Sequence, residues 1–310
     1  RVAEATGGTL ERGSASTPVT AVFTDSREDC EGKFFVPLKG DTFDGHAFIG
    51  DVAKRGAAGC VVSASVSARL PESFAVVRVE DTLAAYQAIA SDNRRRFRGP
   101  VIAITGSCGK TTTKNLIRGV LGHCYKIVAT EKNENNDVGA PKTLLRVGKG
   151  TEAAVLEFGM RGRGEIARLA SFSMPDIMVI TNVEKTHIGR LGSEENIALA
   201  KCELIDNASP TNPVFLNADN RWTPWMTRRT RGRVRTFGIT KGSVRATNIK
   251  EDFKGTSFTV VAGGERWPAR IPLIGRANVY NALAAVCVAL ELEMKPPQIA
   301  EALSLCDIEQ

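Results

Sequence analysis

The sequence predicts an α/β protein with two domains: a small N-terminal α/β domain over residues 1–85, and a larger domain over residues 86–310 built on a doubly wound, mostly parallel sheet. The length of 310 residues exceeds that of one typical domain. Short β-branched runs alternate with helix-like stretches, which is typical of parallel α/β sheets. The clearest linker candidate is Arg98-Gly99-Pro100, which follows a helix-like stretch over 82–97.

The first domain reads as short strands separated by turns and helices. The strand candidates are AVFTDSR (21–27), KFFVPLKG (33–40), GCVVSAS (59–65) and AVVRVED (75–81). These runs are too short and too irregular to fix a sheet order.

The second domain begins with VIAIT (101–105), a β-branched run that suits a buried parallel strand. The helix predicted next carries its apolar residues on one face. These residues are Leu116, Ile117, Val120 and Leu121. Further buried strands are predicted over 153–159 and 177–183, a strand and turn over 266–275, and helices around 164–171, 194–206 and 278–293.

Composition limits the class of protein. With 43% hydrophobic and 24% charged residues, the chain has an ordinary globular composition, and no apolar run is long enough to cross a bilayer, so we expect no membrane insertion. The seven cysteines are scattered and contain no Cys-x-x-Cys pair. This argues against a disulfide framework or a zinc site and favours the reducing cytoplasm.

The net charge of +7 is concentrated in two runs, 94–98 and 221–235. Such runs are usually solvated surface, although nucleic-acid binding is an alternative. An anionic nucleotide substrate would explain a mild excess of positive charge equally well.

A glycine-rich loop lies between the strand at 101–105 and the helix that follows. The usual phosphate loop has a glycine five positions before Gly-Lys-Ser/Thr, but Ile104 stands there. In this context, backbone N–H groups can face an anion, Lys110 adds charge and the hydroxyl of Thr111 can hold Mg²⁺. The alternative is a glycine-rich turn with an exposed lysine. The predicted nucleotide-binding residues are Gly106, Ser107, Cys108, Gly109, Lys110, Thr111 and Thr112.

Polar residues also follow two other predicted strands, and ligands gather at such strand ends. One strand delivers Glu157, and another runs through Thr181 and Asn182 to His187. A carboxylate and an imidazole beside a phosphate site suit a divalent metal on ATP oxygens. Taken singly, Glu157 could be a surface acid, His187 a loop histidine and Lys201 a solvated helix lysine.

Four segments resemble, in order and spacing, the ATP-dependent Mur ligases of peptidoglycan synthesis. They are TGSCGKTTTK, VLEFGMRGRGEI, ITNVEKTHIGRLGSEENIALAKCEL and GRANVYNALAA. The resemblance covers essentially the whole chain, and the shorter Gly-x-x-Gly-Lys-Thr loop is a trait of that family. It implies ATP and Mg²⁺ as cofactors.

Finer features resemble the branch of this family that joins D-Ala-D-Ala to UDP-N-acetylmuramoyl-tripeptide. They are NENNDVGAPKTLLRV (133–147), the run over 157–166, and TDSR, FFVPLKG and FDGHAFI near the N-terminus. The resemblance implies that residues 1–85 bind the uridine nucleotide, with contacts from Thr24, Ser26 and Arg27 in the turn containing Asp25. The alternative is a turn that only holds a strand end. Substrate contacts are also implied for Asn133, Asn135 and Asn136.

The remaining roles are carried over by position. The resemblance makes Lys110, Glu157, His187 and Lys201 the catalytic residues. Mg²⁺ would be held by Thr111, Glu157, His187 and Lys201, the last as a carbamate. Asn278 and Asn281 would hold the adenine. The family usually has histidine where this chain has Ala277, which leaves one adenine-side contact open.

Two other functions remain possible at this point. A sibling ligase that adds diaminopimelate or lysine shares the core motifs, and a non-enzymatic nucleotide- or nucleic-acid-binding module has Trp222 and Trp225 beside the arginines as its support. Family members have a third domain that carries much of the amine site. We therefore expect this chain, as a monomer, to bind UDP-N-acetylmuramoyl-tripeptide and ATP–Mg²⁺ without forming the pentapeptide.

Overall fold

The computed structural model describes residues 1–40, 42–65, 69–185 and 188–307. The chain divides into two compact units, Arg1–Phe97 and Arg98–Gln310. The expected boundary between residues 85 and 86 is displaced, because it would cut the helix Thr82–Arg96. That helix packs on the helix Val2–Thr6 and on the strand Gly59–Val62, so all of it belongs to the first unit.

The first unit is a five-stranded sheet with helices. Its elements are α1 (Val2–Thr6), β1 (Thr9–Arg12), β2 (Val22–Phe23), β3 (Phe34–Phe35), a 3-10 helix (Gly45–Phe48), α2 (Ile49–Lys54), β4 (Gly59–Val62), β5 (Ala75–Arg78) and α3 (Thr82–Arg96). The strand order is β1-β5-β4-β3-β2, with β1 antiparallel and the other neighbours parallel. The predicted strands are present but shorter, whereas β1 and α1 have no counterpart in the prediction.

The second unit begins at β6 (Val101–Thr105). Its other elements are α4 (Lys110–Gly122), β7 (Ile127–Ala129), α5 (Gly139–Leu145), β8 (Ala153–Glu157), α6 (Glu165–Ser173), β9 (Ile177–Ile180), α7 (Ile188–Leu191), α8 (Glu194–Cys202), β10 (Pro213–Asn217), α9 (Thr223–Arg229), β11 (Arg233–Gly238), β12 (Val244–Asp252), β13 (Gly255–Ala262), β14 (Glu265–Ile271), α10 (Arg276–Glu291) and α11 (Pro296–Leu305).

The nine strands of this unit follow the order β14-β13-β12-β11-β10-β9-β6-β8-β7. All neighbours from β7 to β12 are parallel, and β12, β13 and β14 continue the sheet as an antiparallel meander. Helices α4, α10 and α11 pack together, while α5, α6 and α8 form a second group. The predicted α/β class with a mostly parallel sheet is confirmed. The strand predicted over 266–275 corresponds to β14, whereas β12, β13 and the antiparallel pairing were not predicted.

The central strands are buried along their whole length, which explains why their sequences are continuously apolar. Every residue of β6, β8, β9 and β10 is buried. The predicted apolar face of α4 is also confirmed, since Leu116, Ile117, Val120 and Leu121 are fully buried. Because β6, β8 and β9 are parallel neighbours, their carboxyl ends lie at the same edge of the sheet, and the polar residues that follow them lie there too.

Candidate nucleotide- and metal-binding site

The loop between β6 and α4 requires glycine at two positions. Gly109 precedes the first residue of α4 with a φ of 80°, which is a left-handed conformation. A Cβ atom on Gly109 would overlap Oδ1 of Asn281, and one on Gly106 would overlap Oγ1 of Thr181. The glycines thus let the N-terminus of α4 approach both α10 and the end of β9.

The residues after β9 hold this loop in place. The hydroxyl of Ser107 donates to the carbonyl of Glu184 at 3.1 Å and accepts from the N–H of Glu184 at 2.9 Å. The N–H of Cys108 donates to Oδ1 of Asn182 at 2.9 Å, and the hydroxyl of Thr181 donates to the carbonyl of Cys108 at 2.7 Å. Sequence reasoning placed Thr181 and Asn182 at the site, and the structure gives them the role of fixing the loop.

The ammonium group of Lys110 lies over the loop. Its Nζ donates to the carbonyls of Gly106 at 2.9 Å and Ser107 at 3.2 Å, and the residue is partly buried. The alternative of a freely exposed lysine is therefore wrong. A cation and a helix N-terminus at one point suit a phosphate group.

Glu157, at the end of β8, is 2% exposed, so the alternative of a surface acid is wrong. Its Oε1 accepts hydrogen bonds from Thr111 Oγ1 at 3.2 Å and from Asn135 Nδ2 at 2.9 Å. Among the described residues, its Oε2 has no hydrogen-bond partner. A buried carboxylate oxygen without a partner is costly. The hard oxygens of Thr111 and Glu157 fit Mg²⁺, which would satisfy Oε2.

Lys114, on α4, is a buried lysine whose charge interacts with that of Glu157, and the sequence analysis missed it. It is 4% exposed, and its Nζ donates to the carbonyl of Thr130 at 2.8 Å. Burial lowers the pKa of Lys114, while the negative charge of Glu157 acts in the opposite direction. The hydroxyl of Thr130 also accepts from the N–H of Glu157 at 3.0 Å. In the sequence, Lys114 stands one helical turn after Lys110 and next to the apolar face of α4. This position was the available signal that Lys114 is buried near the site.

Lys201, in the last turn of α8, is 2% exposed, so the alternative of a solvated lysine is wrong. Burial and then the charge of Lys110 lower the pKa of Lys201 to about 7, while Cys108 acts in the opposite direction. The structure therefore brings Lys201 within electrostatic reach of the phosphate loop. His187, the other predicted metal ligand, lies outside the described residues.

The two asparagines predicted to hold adenine differ in exposure. Asn281 is 7% exposed, accepts from Thr113 Oγ1 at 3.2 Å and donates to Asn278 Oδ1 at 3.2 Å. Asn278 is partly buried and donates to the carbonyl of Ile274 at 2.9 Å. In this structure Asn281 ties α10 to α4 at the phosphate loop, and the adenine contact stays a prediction.

The three asparagines of the 133–136 segment have different surroundings. Asn133 is exposed, and Asn135 donates to Glu157. The side chain of Asn136 accepts from the N–H groups of Val138 at 3.1 Å and Gly139 at 2.9 Å, at the start of α5. A shared substrate role for all three is untested, and only Asn135 contacts the candidate metal site.

In the first unit, the predicted uridine-binding turn is held from two sides. The carboxylate of Asp25 accepts from the backbone N–H of Arg27 at 3.0 Å and from its guanidinium at 2.9 and 2.6 Å. Arg55, which the sequence reasoning missed, donates to the carbonyls of Ser26 at 2.7 Å and Glu28 at 2.9 Å. The side chain of Arg27 is 88% exposed. The binding roles of Thr24, Ser26 and Arg27 stay predictions.

Comparison with known families gives this geometry its context. Residues 104–289 match the model of the Mur ligase middle domain. The chain belongs to the Mur ligase family.

Proteins with similar sequences and structures are also ligases of this family. The chain is 40% identical over 288 residues to the UDP-N-acetylmuramoyl-tripeptide–D-alanyl-D-alanine ligase of Synechocystis sp., covering 93% of this chain and 61% of the relative. It is similar to MurF from Acinetobacter baumannii, with 29% identity and a TM-score of 0.93 over 100% of this chain and 68% of that one. It is also similar to MurF ligase from Thermotoga maritima in complex with ADP, with 25% identity and a TM-score of 0.84 over 96% of this chain and 68% of that one.

This Mur ligase chain thus spans about three fifths of the length of its Synechocystis relative. Each of its seven cysteines is a free thiol. Among the helices of the described residues, none is both long and apolar enough to cross a membrane.

Four arginines in the basic run (221–235) of this Mur ligase chain form ion pairs with nearby acidic side chains. Arg221 pairs with Glu194 at 2.5 Å, and Arg229 pairs with Asp206 at 2.6 Å. Further along the run, Arg233 and Arg235 both pair with Glu291. The side chains of these four arginines are 39–67% exposed, in keeping with the solvated surface expected for the run.

Asp219, after β10, joins the β11–β12 turn to α10. Its carboxylate accepts from the N–H groups of Ile239, Thr240 and Lys241, from the hydroxyl of Thr240 and, at 2.9 Å, from the hydroxyl of Tyr280. Burial alone would raise the pKa of Asp219, but these hydrogen bonds outweigh it and lower the pKa to about 2.

We expect this carboxylate to stabilise the fold at neutral pH by roughly 2 kcal/mol. Because the folded pKa lies below the unfolded one, the contribution is present above about pH 4 and is lost as the pH falls toward 2. Urea unfolding of the chain and of Asp219→Asn should differ by that amount at pH 7, and the gap should close below pH 4. A gap that stays constant down to pH 3 would contradict this assignment.

Proposed function

We propose that this chain carries the UDP-substrate-binding and ATP-binding parts of a ligase that uses ATP to join D-Ala-D-Ala to UDP-N-acetylmuramoyl-tripeptide. The observation that carries the proposal is the hydrogen bond between Thr111 and Glu157, which places a buried carboxylate with an unpartnered oxygen beside the phosphate loop. The names of the relatives support the choice of substrates.

In this proposal the loop N–H groups and Lys110 orient the phosphates of ATP. Bound Mg²⁺ would supply positive charge on the phosphate oxygens, held by Thr111 and Glu157, with His187 as a further ligand. The terminal carboxylate of the UDP-tripeptide attacks the γ-phosphorus, ADP leaves and an acyl phosphate forms. The amine of D-Ala-D-Ala then displaces inorganic phosphate. Since phosphoryl transfer needs little covalent help, positioned cations supply most of the catalysis.

Lys201 is proposed to react with CO₂, forming a carbamate and releasing a proton, and thereby to provide a ligand for a second Mg²⁺ ion. Its burial near Lys110 supports this, because an anionic carbamate would offset the charge of the neighbouring ammonium. After incubation with ¹³C-labelled bicarbonate, NMR should show a carbamate carbon that is missing from Lys201→Arg. The same spectrum for both proteins would contradict this role.

The remaining predicted contacts complete the proposal. The first unit would bind the uridine nucleotide through Thr24, Ser26 and Arg27, and Asn278 would contact the adenine together with Asn281. We also propose that the protein is a monomer and that it is located in the cytoplasm. The free thiols support the cytoplasmic location.

The test compares ligands by isothermal titration calorimetry on the 310-residue chain. We expect UDP-N-acetylmuramoyl-tripeptide to bind more tightly than the dipeptide form, and ADP to bind more tightly with Mg²⁺ than without it. Tighter binding of the dipeptide form would favour the sibling that adds a single amino acid. Nucleic-acid binding that falls steeply with salt, without any UDP-sugar binding, would overturn the proposal.

A further inference from the structure

We propose that Asn135 is a positioning residue of the cation site: its amide fixes the Glu157 carboxylate so that Oε2 remains the oxygen available to a divalent cation. This inference rests on the proposed function, because it assumes that Glu157 holds the metal. It assigns Asn135 a role in the cation site, in contrast to the substrate contact that its motif implies.

The two oxygens of Glu157 have unequal surroundings. Oε1 accepts from both Thr111 and Asn135, at 3.2 and 2.9 Å, whereas Oε2 has no partner among the described residues. Rotation of the carboxylate would break both hydrogen bonds, so Oε2 has one defined position. Thr111 alone cannot provide this constraint, because its hydroxyl rotates freely and is itself a candidate metal ligand.

Asn135 is in turn fixed by the end of β8. The N–H of Gly159 donates to the backbone carbonyl of Asn135 at 2.8 Å. A Cβ atom on Gly159 would lie 2.6 Å from Oδ1 of Asn135. The amide of Asn135 therefore occupies the space that a side chain at position 159 would fill. Position 159 is two residues after Glu157, whose carboxylate the amide orients.

At position 135, a neutral hydrogen-bond donor suits the role of orienting the Glu157 carboxylate. The amide N–H forms a charge-assisted hydrogen bond to the carboxylate without adding charge. A lysine here would repel a divalent cation, and an aspartate would place a second carboxylate against Oε1. Positive charge is already present within electrostatic reach of Glu157, on the buried Lys114.

The neighbouring asparagines provide matched controls. Asn133 is exposed and Asn136 accepts from backbone N–H groups at the start of α5. Replacing either by alanine changes the same segment without removing the contact to Glu157. Gly159→Ala attacks that contact from the opposite side, because its methyl group would displace the amide of Asn135. The backbone of Gly159 is outside the left-handed region, so alanine adds no backbone strain there.

The experiment measures Mn²⁺ binding by electron paramagnetic resonance with saturating ADP, and ADP affinity without metal by calorimetry. We expect Asn135→Ala and Gly159→Ala to weaken Mn²⁺ binding by about 10–100-fold, as is typical for residues that orient a metal ligand. Affinity for metal-free ADP should stay unchanged in both, which also verifies that the loop is folded. Asn133→Ala and Asn136→Ala should bind Mn²⁺ as the unmodified chain does.

The Glu157→Ala variant distinguishes a failure of the proposed metal site from a failure of the positioning role of Asn135. If it leaves Mn²⁺ binding intact, the metal site of the proposed function is wrong. If Glu157→Ala abolishes Mn²⁺ binding while Asn135→Ala and Gly159→Ala keep it, only the positioning role is wrong. Equal losses of Mn²⁺ binding and metal-free ADP binding in Asn135→Ala and Gly159→Ala would assign Asn135 a merely structural role and overturn the inference.

Discussion

Replacing Lys110 by alanine is expected to reduce ATP turnover by about 10²–10³-fold, the usual cost of one lost electrostatic contact in such a site. Among the described residues, Nζ of Lys110 donates hydrogen bonds to the loop carbonyls of Gly106 and Ser107, which lie outside the hydrophobic core, so the fold should not depend on it. Calorimetric titration of ATP–Mg²⁺ should show weaker binding in parallel, and thermal unfolding should be unchanged.

Lys250 provides the control for that substitution. It is an exposed lysine on β12, so Lys250→Ala removes the same charge from the surface. It should leave ATP binding and turnover as they are. If the Lys110→Ala chain bound and turned over ATP normally, the phosphate-loop interpretation would be lost.

Gly109→Ala should abolish most nucleotide binding, with a loss on the order of 10²–10³-fold, because two or more charge-assisted hydrogen bonds would be misplaced. Gly109 has a φ of 80°, and an added Cβ would overlap Oδ1 of Asn281. The loop must therefore shift away from α10. The change in ADP–Mg²⁺ affinity can be measured by calorimetry.

Gly122 is the matched position at the other end of the same helix. A Cβ atom there meets nothing within 4 Å, so Gly122→Ala should leave ADP binding unchanged. Equal effects of the two substitutions would mean that loop geometry at Gly109 does not determine binding.

The sequence predicted those parts of the fold whose physical cause is local. Strands buried on both faces are continuously apolar, so β6, β8 and β9 could be recognised. The alternation of strands and helices gave the parallel sheet, and the Gly-Lys-Thr at 109–111 marked the phosphate loop. The four strands predicted in the first unit were also recognised, although only the first part of each predicted run forms a strand.

Other features depend on contacts between distant residues and had no local signal. The boundary after Phe97 depends on α3 packing against α1 and β4. In the meander, β12 and β13 are half-buried strands that carry mixed polar and apolar residues and were missed, whereas β14 was predicted as the strand over 266–275. For the site, the family resemblance selected Asn135 and the strand end selected Glu157, but neither could show that the two residues are hydrogen-bonded to each other.

The attachment of the phosphate loop has a consequence for ligand recognition. Ser107 and Cys108 are bonded to the segment after β9, and Thr113 is bonded to Asn281 of α10. The cradle is therefore preorganised, so an incoming nucleotide does not have to spend binding free energy on ordering it. Because these hydrogen bonds also connect the loop to the first turns of α10, we expect a displacement of that end of α10 to shift the phosphate loop with it.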